Sequence, residues 1–135
     1  PFRVLEYMAR EYGIPAPGMT LGRDGALLNW RGRFHYSPGF VVETLDTTGA
    51  GDVFHGAFIY GLIAGWEMDR ILDFSNAMAG LNCTKLGARG GIATRAQAER
   101  LMASGSRHRN PAFVPRPVGR AGAARKHALA TNLGR

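Results

Sequence analysis

The sequence predicts an α/β fold in three layers: a mainly parallel central sheet with helices on both faces, and a β-hairpin inserted at residues 26 to 37. Three observations predict it. The first dozen residues place apolar side chains at helical spacing. The stretch from Gly18 to Leu45 is β-rich and broken by glycine turns. Two helical segments follow, Val53 to Trp66 and about Arg70 to Lys85. At 135 residues, 45% hydrophobic and 10% aromatic, the chain has the composition of one folded domain.

The elements follow in order. Phe2, Leu5, Met8 or Ala9, and Tyr12 lie three to four apart, which predicts an amphipathic helix that Gly13 stops. Pro15 and Pro17 then end any regular element. Gly18 to Gly22 reads as a short buried strand running into the turn Arg23-Asp24-Gly25. Ala26 to Trp30 and Arg33 to Ser37 read as a hairpin around Arg31-Gly32, where glycine permits positive φ. Phe40 to Leu45 is a further strand-like run. Val53 to Trp66 is apolar almost all round and interspersed with small residues, as in a helix buried against a sheet, and is too short to cross a bilayer. Asp69 suits the N-cap of the next helix, whose packing side carries Ile71, Leu72, Met78 and Leu81, with Gly87 at its exit. Thr94 caps a last short helix, Arg95 to Met102. From Ala103 the apolar period fails, so residues 103–135 read as a basic, disordered tail on a domain of residues 1–102.

Charge separates along the same boundary. The net +7 would by itself suggest nucleic acid or an acidic partner. Yet residues 1–102 hold ten basic and ten acidic side chains, and residues 103–135 hold seven basic and none acidic. The tail has one aromatic, Phe113, and no nucleic-acid motif, so nucleic acid is not an expected partner. No apolar run reaches the roughly 18 residues of a membrane span, and the first residues lack a signal-peptide pattern, which points to a cytoplasmic protein. A single cysteine, Cys83, excludes an internal disulfide framework. A start at Pro1, directly in a helical pattern, reads as part of something longer.

The segment that carries chemistry is Asp46-Thr47-Thr48-Gly49-Ala50-Gly51-Asp52, between a strand-like run and a buried helix. Gly49, Ala50 and Gly51 have little or no side chain, so backbone N–H groups at the first helical turn can approach an anion, aided by the helix dipole. Asp52 at the edge of that cradle can accept the proton of an attacking hydroxyl while the amides stabilise a phosphoryl group in flight. The competing reading is a plain glycine-rich helix start with Asp46 or Asp52 as caps. Seven coincident residues in this context favour the chemical one.

This run, continuing Val53-Phe54-His55-Gly56-Ala57-Phe58, resembles the C-terminal signature of the ribokinase-like (PfkB) carbohydrate kinase family. Thr20-Leu21-Gly22-Arg23-Asp24-Gly25 is similar to the family's nucleotide-contacting strand and turn, Phe74 to Gly80 to its adenine-side helix, and Cys83 to Ala88 to that helix's end. The resemblance covers about residues 2 to 102. It implies the C-terminal part of a three-layer ribokinase-like fold and ATP-dependent phosphoryl transfer to a sugar hydroxyl, with ATP and Mg2+ as cofactors and a small sugar as substrate. By the same resemblance Asp52 is the general base, and Gly49, Ala50 and Gly51 form the anion hole. Thr20, Gly22, Gly25 and Gly51 line the nucleotide groove, with Asn76 near the adenine or ribose. A monovalent cation, usually K+, matches Asp46 and Thr48 with backbone oxygens around Asn82, Lys85, Gly87 and Gly91.

The chain also departs from the family. Ala93 stands where the family often has proline, and Arg89-Gly90-Gly91 offers no neutral polar side chain to a cation. Lys85 and Arg89 read as solvated helix-end cations. His55 stays outside the site, Cys83 reads as a small buried hydrophobe, and Trp30, Tyr36 and Phe40 read as packing against the sheet. The family's sugar-binding residues, lid strands and magnesium region would all lie upstream of Pro1. Two alternatives follow: a nucleoside kinase of the same fold, or a truncated, non-catalytic kinase fragment. An unpaired sheet edge in such a fragment would favour pairing with another chain, as in a homodimer.

Overall fold

The structure, a computed structural model, describes residues 1–115. Helix α1 spans Phe2–Glu11, and Tyr12 closes it through its N–H to the Met8 carbonyl before Gly13 at φ 63°. Strands β1 (Gly18–Thr20), β2 (Ala26–Trp30) and β3 (Arg33–Ser37) form a three-stranded sheet in the order β1-β2-β3. Leu28 pairs with Gly18 on one side and His35 on the other. The predicted hairpin is present to the residue, and both turn positions take positive φ, Arg31 at 51° and Gly32 at 84°.

Both strand pairings are antiparallel, so among the described residues the mainly parallel sheet is absent. The connections explain it. Five residues join β1 to β2 and two join β2 to β3, whereas a parallel pair needs a crossover of roughly a dozen or more. Strand β1 is also not the buried strand expected, since Gly18 and Thr20 are exposed at the sheet edge. Residues 41–45 form no strand. Phe40 makes a single bridge with Arg107, Val41 N–H donates to Ser106, and Leu45 N–H donates to Cys83.

The sheet is covered on both faces, giving a local three-layer arrangement. One face carries Phe34, whose ring meets the edge of Phe2 on α1 at 4.9 Å, beside the fully buried Leu5. The other face carries Ala26, Leu28, His35 and Ser37. Against it lies helix α3 (Met68–Asn82), with Ile71 and Leu72 in a core shared with Phe54 of helix α2 (Ala50–Ile63). A second core joins Phe40, Ala57, Phe74, Ala77 and Ala98, and helix α4 (Arg95–Ser104) closes it. Burying a side chain the size of Ile71 contributes about 1.5–3 kcal/mol. Polar ties lock α3 to the hairpin: His35 Nδ1 meets Asp69 at 2.6 Å, Ser37 donates to Asp73, and Asn76 donates to the Ser37 carbonyl at 2.8 Å.

Several boundaries differ from expectation, and α2 and α3 end early, at Ile63 and Asn82. Glu67, not Asp69, is the N-cap of α3, because the Asp69 carboxylate lies in the first turn and pairs across to His35. Thr94 caps helix α4, as the sequence suggests, and does so through a full capping box with Gln97, but the helix runs on to Ser104. Order continues past residue 102: residues 106–108 pair with 39–41, and a 3-10 turn forms at Pro111–Phe113. The reading of residues 116–135 as disordered tail lies outside the described residues.

Helix α2 is buried on one side only. Phe54, Ala57 and Gly61 face α3, while Asp52, Gly56, Ile59 and Ile63 share the opposite, exposed face, and Ile63 is 83% exposed. The helix expected to be buried against a sheet instead packs its inner side mainly on α3, and no described layer lies beyond its outer side. On the inner side, a Cβ at Gly61 would meet the Ile71 side chain at 2.8 Å, whereas one at Gly56 would meet nothing within 4 Å. The two glycines should therefore respond with opposite signs. Gly61→Ala is expected to destabilise by about 1–3 kcal/mol through overpacking, and Gly56→Ala to stabilise by about 0.5–1 kcal/mol through helix propensity. Urea midpoints of the two variants measure it.

Candidate nucleotide site at the start of helix α2

The sequence places Gly49 immediately before α2, and the structure uses it as an N-cap at φ 76°, in the left-handed region. A side chain there would strike Ala88, since a Cβ would come within 2.7 Å of its Cα. The 87–90 loop thus presses against the helix start, and only glycine admits both the conformation and the contact. The Ala50 N–H closes a turn on the Thr47 carbonyl at 3.1 Å. The Gly51 and Asp52 N–H groups donate to no other described residue, leaving two first-turn donors open. A Cβ at Gly51 would stand in open space.

Asp46 holds this loop in place. Its Oδ1 accepts from the Thr48 N–H at 2.9 Å and the Thr48 hydroxyl at 2.7 Å, and its Oδ2 accepts from the Gly87 N–H at 2.8 Å. The Thr48 hydroxyl first, and then the Thr48 and Gly87 amides, hold the Asp46 carboxyl below the usual carboxylate range. Asn82 donates to the Thr48 carbonyl at 3.2 Å, while its own Oδ1 is buried without a partner. The Asn82 carbonyl accepts from Lys85 N–H, and Gly91 packs so closely that a Cβ there would meet that oxygen. Hydrogen bonds thus join Asp46, Thr48, Asn82, Lys85 and Gly87, and Gly91 packs against Asn82.

A groove runs from this helix start to the end of the hairpin. It is lined by Thr20, Gly22, Gly25, Ala50, Gly51 and Asn76, which gathers every residue expected at the nucleotide. Asn76 is 7% exposed, and its amide nitrogen is spent on Ser37, which fixes the side chain against the groove wall. Asp52 does not line this groove. It is exposed and lines a separate shallow hollow with Gly56, Met78 and Arg89. His55 donates to the Gly51 carbonyl at 2.7 Å and so is tied to its own helix. Burial pushes the Cys83 thiol up from its ordinary range, in keeping with a packing role.

Sequence reasoning missed Gly39 and His108 as lining residues. A Cβ at Gly39 would meet the Arg23 carbonyl at 2.3 Å, and one at Gly25 would meet the Ser37 carbonyl at 1.9 Å. Pro38-Gly39 was legible as a turn but not as half of this backbone crossing. His108 had no signal at all, because it sits among tail-like residues. Phe40 also differs from expectation: it packs in the second core and not on the sheet, with the Arg107 guanidinium 3.7 Å from its ring centre.

Comparisons with known proteins point to one family. The family described as "pfkB family carbohydrate kinase" matches residues 5–95. A ribokinase from Haemophilus influenzae is 37% identical over 83 residues, which is 62% of this chain and 27% of that protein. A Thermotoga maritima ribokinase structure superposes with a TM-score of 0.70 at 33% identity, covering 76% of this chain and 34% of that one. A candidate ribokinase II of Escherichia coli, solved with ATP and Mg2+, gives 0.71 at 28% identity, covering 76% and 33%. The chain thus spans about a third of the length of these relatives.

The Asp46 network has a pH signature. A carboxyl whose folded pKa is depressed contributes stability above its unfolded pKa and loses it as pH falls through the folded one. The stability gap between the parent chain and Asp46→Asn is therefore expected to be full at neutral and weakly acid pH, and to shrink once pH drops below the ordinary carboxylate range. Thermal melts of both across that range check it.

Proposed function

The chain belongs to the pfkB family of carbohydrate kinases, and from that membership we propose that it is the nucleotide-binding and proton-accepting portion of an ATP-dependent kinase acting on a sugar hydroxyl. The observation that carries the reading is the start of α2, where open N–H donors adjoin a groove and a carboxylate stands one residue further on.

In this reading the phosphates of ATP lie at the helix start, where the open donors and the helix dipole favour negative charge. The nucleoside extends along the groove past Thr20, Gly22, Gly25 and Asn76. Asp52 takes the proton of the acceptor hydroxyl as its oxygen attacks the γ-phosphorus, and the bond to the bridging oxygen of ADP breaks. The Gly51 and Asp52 amides offset charge on the transferring group. Ala50 contributes through its small side chain, since its own N–H already serves Thr47. Gly49 contributes the left-handed cap that aims the turn.

A monovalent cation such as K+ fits the chain's oxygens, given an ionised Asp46 carboxylate and the unpartnered Asn82 Oδ1 beside the 87–91 loop. It would supply a fixed positive charge behind the anion hole. Magnesium fits differently. Among the described residues no three His, Cys, Asp or Glu side chains gather as a metal site, so Mg2+ would enter with the phosphates of ATP.

The acceptor class is tested by a panel. Incubated with ATP, free sugars and nucleosides, the protein is expected to release ADP with a sugar, and release with nucleosides alone would give the nucleoside-kinase reading instead. Asp52→Asn is expected to keep ATP binding and lose about 10²–10⁴-fold in turnover, and near-full turnover would overturn the base assignment. ATP binding by the 135-residue chain with no turnover on any acceptor would make it a binding fragment.

A further inference from the structure

The groove has a wall that the family match does not reach. That match ends at residue 95, yet His108 lines the groove with Gly25, Gly39 and Asn76. The segment bearing it is firmly held. Val41 N–H donates to the Ser106 carbonyl and His108 N–H to the Gly39 carbonyl, each at 2.9 Å, with Phe40 and Arg107 bridged between them. The Arg107 side chain clamps the same register. It donates to the Pro38 carbonyl at 2.7 Å and the Ser37 hydroxyl at 3.2 Å, pairs with Asp73 at 3.0 Å, and lies over the Phe40 ring. Beyond it, Phe113 packs near Tyr36, with ring centres 6.2 Å apart.

These contacts divide the groove lining into two groups. Ala50, Gly51 and Thr47 belong to the helix start. His108, Gly39, Gly25 and Asn76 belong to the end of β3, because the Gly25–Gly39 backbone crossing, the Asn76–Ser37 bonds and the His108–Gly39 bond all meet there. With phosphates at the first group, the second faces the base. His108 is half-buried, and among the described residues no group hydrogen-bonds its imidazole. A half-buried aromatic residue that lines the base end and whose ring has no protein partner is suited to a π-face or edge contact with a nucleobase.

We propose that residues 105–113 form the outer wall of the base end of the groove and that His108 contacts the nucleobase, so that nucleotide affinity depends on a residue outside the family match. This rests on the nucleotide reading above, and the experiment separates the two. Binding of ATP and of inorganic tripolyphosphate, which lacks a base, is measured by calorimetry on the full chain, on His108→Ala and on His108→Phe. The parent is expected to bind ATP more tightly than tripolyphosphate. His108→Ala is expected to lose about tenfold for ATP with tripolyphosphate unchanged, and His108→Phe to recover most of the loss. Equal ATP affinity in the parent and His108→Ala would overturn the base contact while leaving the phosphate site standing. A parent that binds neither ligand would remove the nucleotide reading, and this inference with it. A His108→Ala chain that loses both ligands and its thermal transition has unfolded, and the His108→Phe chain then decides: a retained preference for ATP supports the contact, and equal affinity for the two ligands overturns it.

Discussion

The site depends on one carboxylate. Asp46 gathers the Thr48 N–H and hydroxyl on one oxygen and the Gly87 N–H on the other, so two loops separated by some forty residues meet at a single charge. Without that charge, the 87–90 loop loses its direct hydrogen bond to the turn before Gly49, and the left-handed cap at Gly49 loses part of its support. The cap in turn directs the first turn of α2 and leaves the Gly51 and Asp52 amides open. Charge-assisted bonds of this kind are stronger than neutral ones, which suits a loop that must hold its donors still in the presence of water. The exposed position of the pair limits how much of that strength appears as global stability. Its effect falls mainly on local geometry.

What the sequence made legible was whatever its own neighbours decide. The hairpin at Arg31-Gly32, the stop at Gly13 and the Thr94 cap are each set within a few residues, and each stands where the pattern put it. The turn into α2 was legible for a related reason: its small residues act through backbone, and Gly49 takes the left-handed cap that such a residue permits. Distant partners were not legible. Asp69 reads as a cap until His35, 34 positions away, takes its carboxylate. Arg107 reads as tail charge until Ser37, 70 positions away, gives it a partner. The run from Phe40 to Leu45 has strand propensity, but propensity needs a neighbour to pair with, and the structure supplies one bridge at Phe40.

The outer face of α2 has the same origin. Its apolar residues on both sides predict burial on both sides, and the described residues supply only α3. Ile59, Leu62 and Ile63 are left exposed on a helix whose low amphipathicity is unusual for a surface element. Such a face raises the free energy of the isolated chain through its contact with water. It does not disturb the inner side, where Phe54, Ala57 and Gly61 pack as a core helix should.

Helix geometry also explains why Asp52 is absent from the groove. Successive residues of an α-helix lie about 100° apart, so if Ala50 and Gly51 face the nucleotide, Asp52 must turn away from it, toward the hollow it shares with Gly56 and Arg89. For a residue that binds phosphate this would be a fault. For a proton acceptor it is a requirement, because the attacking hydroxyl must approach the phosphorus from the side opposite the leaving group. Under the proposed function, nucleotide and acceptor would thus reach the start of α2 from two directions, with the open Gly51 and Asp52 amides between them. Arg89 on the acceptor side would add positive charge where a polar substrate arrives, while the nucleotide side relies on backbone dipoles. The anion would then be held by local donors, which the neutral balance of residues 1–102 permits.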